Sequence, residues 1–290
     1  MEYVYCLINH GFFMEGNGWM QPKFFSIIVV SLNAGEELKK TIDSITEQTC
    51  QDYEIILKDG LSKDHSLARL KEQLPASVTI KIMEQQDTGI YDAMNQAVRN
   101  CSGAYLQFLN CGDYFYTKDV LQEVKAFITG QEKEKTPCIF YGNQYNRLLS
   151  CEVASAPVMN DFAIYRNVPC HQVCFYDRQL FDKRAYEPVY TVRADYEHFL
   201  YSCYVEHAHA VCMPVIICSY AGGGYSETRQ NLKKSEEQHR VITKKYLGKK
   251  AALFRLIMIL SLAPLRTRMA NSHKMSGFYN KLKSLLYRRS

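Results

Sequence analysis

Short buried runs alternate with helix-spaced segments along the first third of the chain. Phe24 to Val30 reads FFSIIVV, a β-rich run too short for a helix and apolar at consecutive positions, as a strand buried on both faces requires. It ends in Ser31-Leu32-Asn33. Glu36 to Gln48 sets Leu38, Ile42 and Ile45 at helical spacing behind acids at its start. Tyr53 to Leu57 reads as a second strand with a polar tip from Lys58 to Asp64, then a helix from about His65 to Gln73 and a third strand from Val78 to Met83. An amphipathic helix from Ile90 to about Cys101 leads to a fourth strand, Tyr105 to Leu109, which stops at Asn110 to Asp113. This βαβαβαβ order demands crossover connections. It predicts an α/β domain with a mostly parallel central sheet flanked by helices.

Beyond Asp113 the alternation loosens. Lys118 to Thr129 is expected to be a helix, Cys138 to Tyr141 and His171 to Tyr176 strands, and Arg178 to Phe181 a turn. A helix begins near Asp195 and runs to about Glu206, with late strands at Val211 to Met213 and Ile216 to Tyr220; Met159 to Asn167 carries no clear pattern. The C-terminal stretch is different again. Lys233 to Tyr246 is a charged helix, and Ala251 to Leu265 is apolar on nearly all faces with one Arg. That run is too short to span a bilayer, and its basic flanks suit a helix lying in the plane of an anionic membrane surface.

Charge supports the division. The net charge is +5, yet residues 230–290 hold fifteen Lys and Arg against Glu236 and Glu237, so the body is acidic and the tail strongly basic. The tail's charges flank an apolar run instead of interleaving with stacking aromatics, which favours a membrane over nucleic acid. Eleven Cys, an odd number without a CxxC pair, argue for a reducing compartment over a disulfide framework or a zinc site. Residues 1–19 lack the basic start and cleavage site of a signal peptide, so export is not implied and they receive no function.

Polar strand tips are where an open α/β sheet binds ligands, because the carboxyl ends of the strands form its crevice. Asn33, Asp59 to Asp64 and Asn110 to Asp113 all fall there. No GxGxxG or GxxxxGK[ST] string occurs, so a dinucleotide fingerprint or P-loop is not supported. The strand ending Ser31-Leu32-Asn33, the Asp59-Gly60-x-Ser62-x-Asp64 tip, Gly89-Ile90-Tyr91-Asp92-Ala93-Met94-Asn95 and Asn110-Cys111-Gly112-Asp113 resemble the family 2 glycosyltransferases of GT-A (Rossmann-like) fold. The likeness is strongest to the bacterial colanic-acid and O-antigen type and covers roughly Phe24 to Glu227.

That resemblance implies transfer, with inversion, of a sugar from a nucleotide-diphosphate donor, a UDP-sugar above all, to a lipid-linked saccharide in surface polysaccharide synthesis. It implies a donor site of Ser31, Asn33, Asp59, Asp92 and Asn95, a Mg²⁺ or Mn²⁺ ligand at Asp113, and Asp195 as the general base. His171, in a His-Gln pair, would contact substrate. The expected organisation is an N-terminal extension over 1–22, a nucleotide-sugar half over 23–115, an acceptor half over 116–229 and a basic helical extension over 230–290. A cytoplasmic protein, peripheral at the inner face of the plasma membrane, follows from the tail.

Other readings stay open beside these. Asp59 can be turn chemistry, Asp64, Asp113 and Asp195 helix caps, Asp92 a first-turn acid, Met94 core and His171 structural. Gly112 stands where the family usually has an acid, and Asn110 where some relatives do. A catalytically degenerate binding or scaffold relative is therefore the main alternative. A nucleotidyltransferase would need a basic Gly-rich loop that Asn33-Ala34-Gly35-Glu36 does not supply.

Overall fold

The computed structural model describes residues 22–75, 78–132, 136–222 and 228–261, together with Lys281. The alternating third of the chain builds one end of the sheet. β1 (Phe25–Ser31) is buried along its whole length, and it lies parallel to β2 (Tyr53–Asp59) on one side and β4 (Tyr105–Phe108) on the other. β3 (Ile80–Glu84) extends the parallel set beyond β2. The crossovers are α1 (Glu37–Thr46), α2 (Ser66–Gln73) and α3 (Ile90–Val98). Leu38, Ile42 and Ile45 of α1 and Met94 and Ala97 of α3 are fully buried, as their helical spacing requires. At Gly103 an added Cβ would lie 2.5 Å from Ser26 N, so only glycine lets the entry to β4 pass so close to β1.

The second half makes the sheet mixed, adding both antiparallel and parallel pairings. β5 (Tyr114–Phe115), β6 (Cys138–Asn146), β7 (Cys151–Val153), β8 (Cys174–Asp177) and β9 (His209–Tyr220) complete a nine-stranded sheet among the described residues, in the order β3-β2-β1-β4-β8-β6-β9-β5 with β7 paired to β6. Between them lie α4 (Val120–Gly130), α5 (Asp161–Arg166), α6 (Arg178–Lys183) and α7 (Ala194–Tyr204). β8 runs antiparallel to β4, Leu106 facing Tyr176. Its start is thereby brought to the carboxyl end of β4.

Several expectations are revised here. The strand read over His171 to Tyr176 divides: His171–Val173 is a 3-10 turn, and only Cys174 onward pairs. Turning is favoured because the Gln107 amide takes the Gln172 carbonyl at 2.8 Å, a bond that draws the chain off the ladder. The two late strands are one, β9, with register shifts opposite Tyr141 to Gln144. Pro214 lies in that interval and has no N–H for a ladder, so the strand bulges around it without stopping. Met159 to Asn167 contains α5, capped by Asn160 Oδ1 accepting from Ala163 N at 2.9 Å.

α8 (Arg229–Leu247), expected as the start of an extension, is packed into the domain. Ile242 and Thr243 are buried, and Glu197 of α7, fully buried, meets Arg184 at 2.6 Å and Lys245 at 2.8 Å and accepts from Tyr246 Oη. α9 (Lys249–Leu260) contrasts with it: none of its residues is buried, although Phe254 touches Phe162 and Tyr165. No described helix is long and apolar enough to cross a membrane. Residues 1–21, residues 223–227, which include Gly223 and Gly224, and most of the basic tail lie outside the described residues.

Candidate active site

The carboxyl ends of β1, β2 and β4 and the start of β8 meet at one edge of the sheet. On the β1–β2 side, Ser31 stands opposite Asp59 in the register. Asp59 is buried, and its two oxygens accept from Ser62 N and Ser62 Oγ, both at 2.7 Å. Asn33, with φ of 49°, accepts from Lys63 N through Oδ1 and donates its own N–H to Ser62 Oγ, each at 2.8 Å. These bonds tie the tips of β1 and β2 together. Beside them opens a cleft of about 430 Å³ lined by Leu32, Asn33, Gly60, Leu61, Lys63 and Gln86. Leu32 and Leu61 stay largely exposed at this cleft, an apolar pair of the kind that a flat ring system covers.

Asp64 does local work at the foot of α2. It accepts from Ser66 N and Oγ and from Gly35 N, and those bonds lower its carboxyl to about 2. Lys58, buried without exposure, pairs with Asp87 and fixes the segment that leads into α3. Asp92 then accepts from Thr88 N at 2.9 Å and from Gln96 Nε2 at 3.2 Å. Asn95 is committed too: its amide gives to Tyr186 O at 2.8 Å and takes from Tyr186 N at 2.9 Å.

At the tip of β4 the chain turns sharply. Gly112 has φ of 93°, a conformation that an acidic side chain at this place would strain, which accounts for glycine there. Asp113 follows, 4 % exposed, with Oδ1 accepting from Ala221 N at 2.9 Å and Oδ2 from Gln172 Nε2 at 3.0 Å. Burial raises its carboxyl above the usual range; the two hydrogen bonds and the more distant His171 and Arg147 offset this only in part. It caps no helix, since the residues after it form β5 and α4 starts from Asp119.

Asp195 is the second residue of α7, with Arg193 at the cap position, so it does not serve as the cap. Its Oδ1 accepts from Tyr91 Oη at 2.8 Å, and its Oδ2 lies 3.0 Å from His171 Nδ1. His171 Nε2 is in turn 3.0 Å from Asn110 Nδ2. Burial works to raise the Asp195 carboxyl, but the hydrogen bond and charge of His171, helped by Tyr91 and the Tyr196 N–H, hold it below the usual carboxylate range. Its side chain keeps 24 % exposure, so the ionised group is not sealed from solvent.

The sequence pattern described as Glycosyl transferase family 2 matches residues 26–148. A PGL/p-HBAD biosynthesis glycosyltransferase of Mycobacterium bovis is 35% identical over 213 residues, covering 72% of this chain and 81% of the relative. The chain belongs to the family 2 glycosyltransferases. Its fold agrees: a Pyrobaculum calidifontis mannosyltransferase, solved with GDP-Man and Mn2+, superposes with a TM-score of 0.59 at 18% identity over 93% of this chain and 83% of that one. Staphylococcus aureus TarS 1-349 with UDP-GlcNAc gives 0.59 at 15%, over 77% and 71%. The GT-A architecture expected from the motifs is therefore present. The mycobacterial relative is named for PGL/p-HBAD biosynthesis, not for colanic acid or O-antigen.

In this glycosyltransferase the expected residues fall into two groups. Ser31, Asn33, Asp59, Asp113, His171 and Asp195 share the sheet edge. Ser31 Oγ is buried beside the Cys111 thiol, which also lies in electrostatic range of both Asp59 and Asp113. Gln172 then links Asp113 to the turn holding His171, and so to Asp195. Asp92 and Asn95 instead spend their polar atoms on α3 and on the Tyr186 backbone, and both His171 nitrogens face protein groups. Tyr91, Gln172 and Asn110 contribute contacts that the motif reading does not assign. Their signal was position: Tyr91 inside GIYDAMN, Gln172 beside His171, Asn110 at the strand tip.

Proposed function

We propose that this glycosyltransferase moves a sugar from a nucleotide-diphosphate donor, a UDP-sugar in the first place, to a lipid-linked saccharide, with inversion, in surface polysaccharide synthesis of the colanic-acid and O-antigen type. The observation that carries the reading is Asp195: an ionised, oriented and partly open carboxylate on the same sheet edge as Asp59 and Asp113. The nucleotide takes the cleft bounded by Leu32, Leu61 and Gln86, with Ser31, Asn33 and Asp59 ordering its walls. Asp92 and Asn95 support the donor side by holding α3 in place.

The chemistry follows from that arrangement. Asp195 removes the proton of the acceptor hydroxyl as its oxygen bonds to the anomeric carbon, and the carbon–oxygen bond to the diphosphate breaks on the opposite face. The electron pair leaves with the diphosphate, and the proton remains on Asp195. A lowered pKa makes Asp195 a weak base in water but keeps it fully ionised at neutral pH, so position does the catalytic work.

Asp113 is a fitting single ligand for Mg²⁺ or Mn²⁺. It is a hard carboxylate, each oxygen accepts one hydrogen bond and retains a lone pair, and its raised pKa reflects burial that those hydrogen bonds offset only in part. Among the described residues no cluster of three or more ligating side chains stands around it, so the donor diphosphate and water would complete the coordination. Held by Asp113, such an ion would supply positive charge to offset that of the leaving diphosphate.

α9 supports a place at the inner face of the plasma membrane. Leu253, Leu256, Ile259 and Leu260 are exposed on it, and Lys249, Lys250 and Arg255 lie among them. Calorimetry with UDP-, GDP- and TDP-sugars, with and without Mn²⁺, tests the reading. Binding of one class that strengthens at least tenfold with Mn²⁺ and loses that gain in Asp113→Asn supports it. Failure to bind any nucleotide sugar contradicts it and leaves the degenerate scaffold.

A further inference from the structure

We propose that His171 is a positioning residue for the general base, with Asn110 as the partner that keeps its ring in register. This rests on the reading of Asp195 as the base. A carboxylate cannot donate, so the 3.0 Å contact between Asp195 Oδ2 and His171 Nδ1 requires a proton on Nδ1. With Tyr91 Oη on the other oxygen, both ends of the carboxylate are pinned, and its plane is fixed by groups from two separate elements, α3 and the 3-10 turn.

The opposite nitrogen explains Asn110. His171 is 8 % exposed and its Nε2 meets the Asn110 amide at 3.0 Å. The Asn110 Oδ1 is buried with no partner of its own. An amide can offer either its N–H to a bare Nε2 or, turned over, its oxygen to a protonated one. Asn110 therefore serves the ring with one proton or with two, while Nδ1–H stays on Asp195 in both states. A carboxylate at position 110 could only accept, which would tie the ring to the charged form. The asparagine at the strand tip thus has a use other than holding a metal.

His171 is also the group that can set the ionisation of the base. The other titratable groups in range of Asp195 are Tyr91 on α3, Cys174 and Tyr176 on β8 and Tyr186 beyond α6. Burial pushes all four well above their ordinary values, so they remain neutral. Among these groups only the imidazole both donates to Asp195 and can carry positive charge.

The test has two arms. Nitrogen-15 NMR of the unmodified protein reads the ring directly: Nδ1 protonated at every pH where the fold persists is expected, and a neutral ring protonated on Nε2 alone overturns the proposal whatever Asp195 does. Kinetics of His171→Gln and His171→Asn form the second arm. Asn can still present an N–H where Nδ1 stood; Gln cannot. For His171→Gln, kcat at neutral pH is expected to fall about 10- to 100-fold with donor KM unchanged, and the acid limb of kcat to move up by about one pH unit as the depressing donor is lost. His171→Asn should recover part of both. A raised KM with an unmoved acid limb in both variants would instead make His171 a substrate contact. If Asp195→Asn transfers sugar as fast as the parent, the base reading has failed, an outcome distinct from either result on His171.

Discussion

The hydroxyl of Tyr91 lies 2.8 Å from Asp195 Oδ1, joining two residues 104 positions apart. The same oxygen is 3.0 Å from Val192 O, so its single proton is shared between that carbonyl and the carboxylate. The GIYDAMN string thereby acquires a physical reading: Tyr91 meets Asp195, Met94 fills the core and Asn95 staples Tyr186. Tyr91→Phe keeps the ring and removes only the hydroxyl. It should lower kcat about tenfold with donor affinity unchanged and cost about 1–2 kcal/mol of stability. Steady-state kinetics beside a urea melt separate the two effects.

Glu197 is fully buried two residues beyond Asp195, with Arg184, Lys245 and Tyr246 around it. Burial works to raise its carboxyl, yet those partners hold it below its ordinary 4.5. A depressed native pKa means that the contribution to stability is complete above the unfolded value and disappears as pH falls through the native one. Glu197→Gln should therefore cost about 3 kcal/mol at pH 7, and the gap between variant and parent should close on acidification. Denaturant midpoints measured from pH 7 down to 3 check it.

α8 braces the segment that leads into α7, through Gln238 and through Ser235, whose hydroxyl accepts from Arg193 Nε at 2.8 Å. Gln238 Oε1 accepts from Val192 N and Arg193 N, both at 3.1 Å, just before the helix that bears Asp195. Gln238→Leu leaves the Val192 N–H without this acceptor and the Arg193 N–H with only Tyr190 O at 3.3 Å, a loss of about 1–3 kcal/mol. Transfer should fall with it. Removing residues 229–290 should abolish activity outright, which a transfer assay on the shortened protein measures.

Much of the fold was legible because consecutive apolar residues, helical spacing and polar strand tips are local signals. β1, β2, β4 and the helices between them needed nothing more. The mixed half was harder: β5 is two residues long, and β9 bulges around Pro214 while staying paired to β6. At the site, the carboxylates were legible from motif and position. Their partners were not, since no local pattern tells that Tyr91 crosses to α7 or that Gln238 returns from α8. Charge counting likewise set the whole basic tail apart, whereas Ile242 and the Glu197 cluster bind its first helix to the domain.

Exposed apolar residues on α9 give a separate expectation for the membrane. Replacing Leu256, Ile259 and Leu260 by Ser should leave the fold and donor binding intact, because these side chains are exposed. Flotation with vesicles rich in anionic lipid should drop at least tenfold, and high salt should weaken the parent's binding. Equal flotation of parent and variant would remove α9 as the contact.

Single-turnover transfer by Asp195→Asn, with donor affinity measured on the same preparation, bears most directly on the account. An amide keeps the shape of the carboxylate but cannot take the acceptor's proton. The expected result is a donor Kd within about twofold of the parent and a transfer rate lower by about 10²–10⁴. Transfer at the parent's rate would contradict the account, because the carboxylate at the start of α7 would then have no part in the reaction.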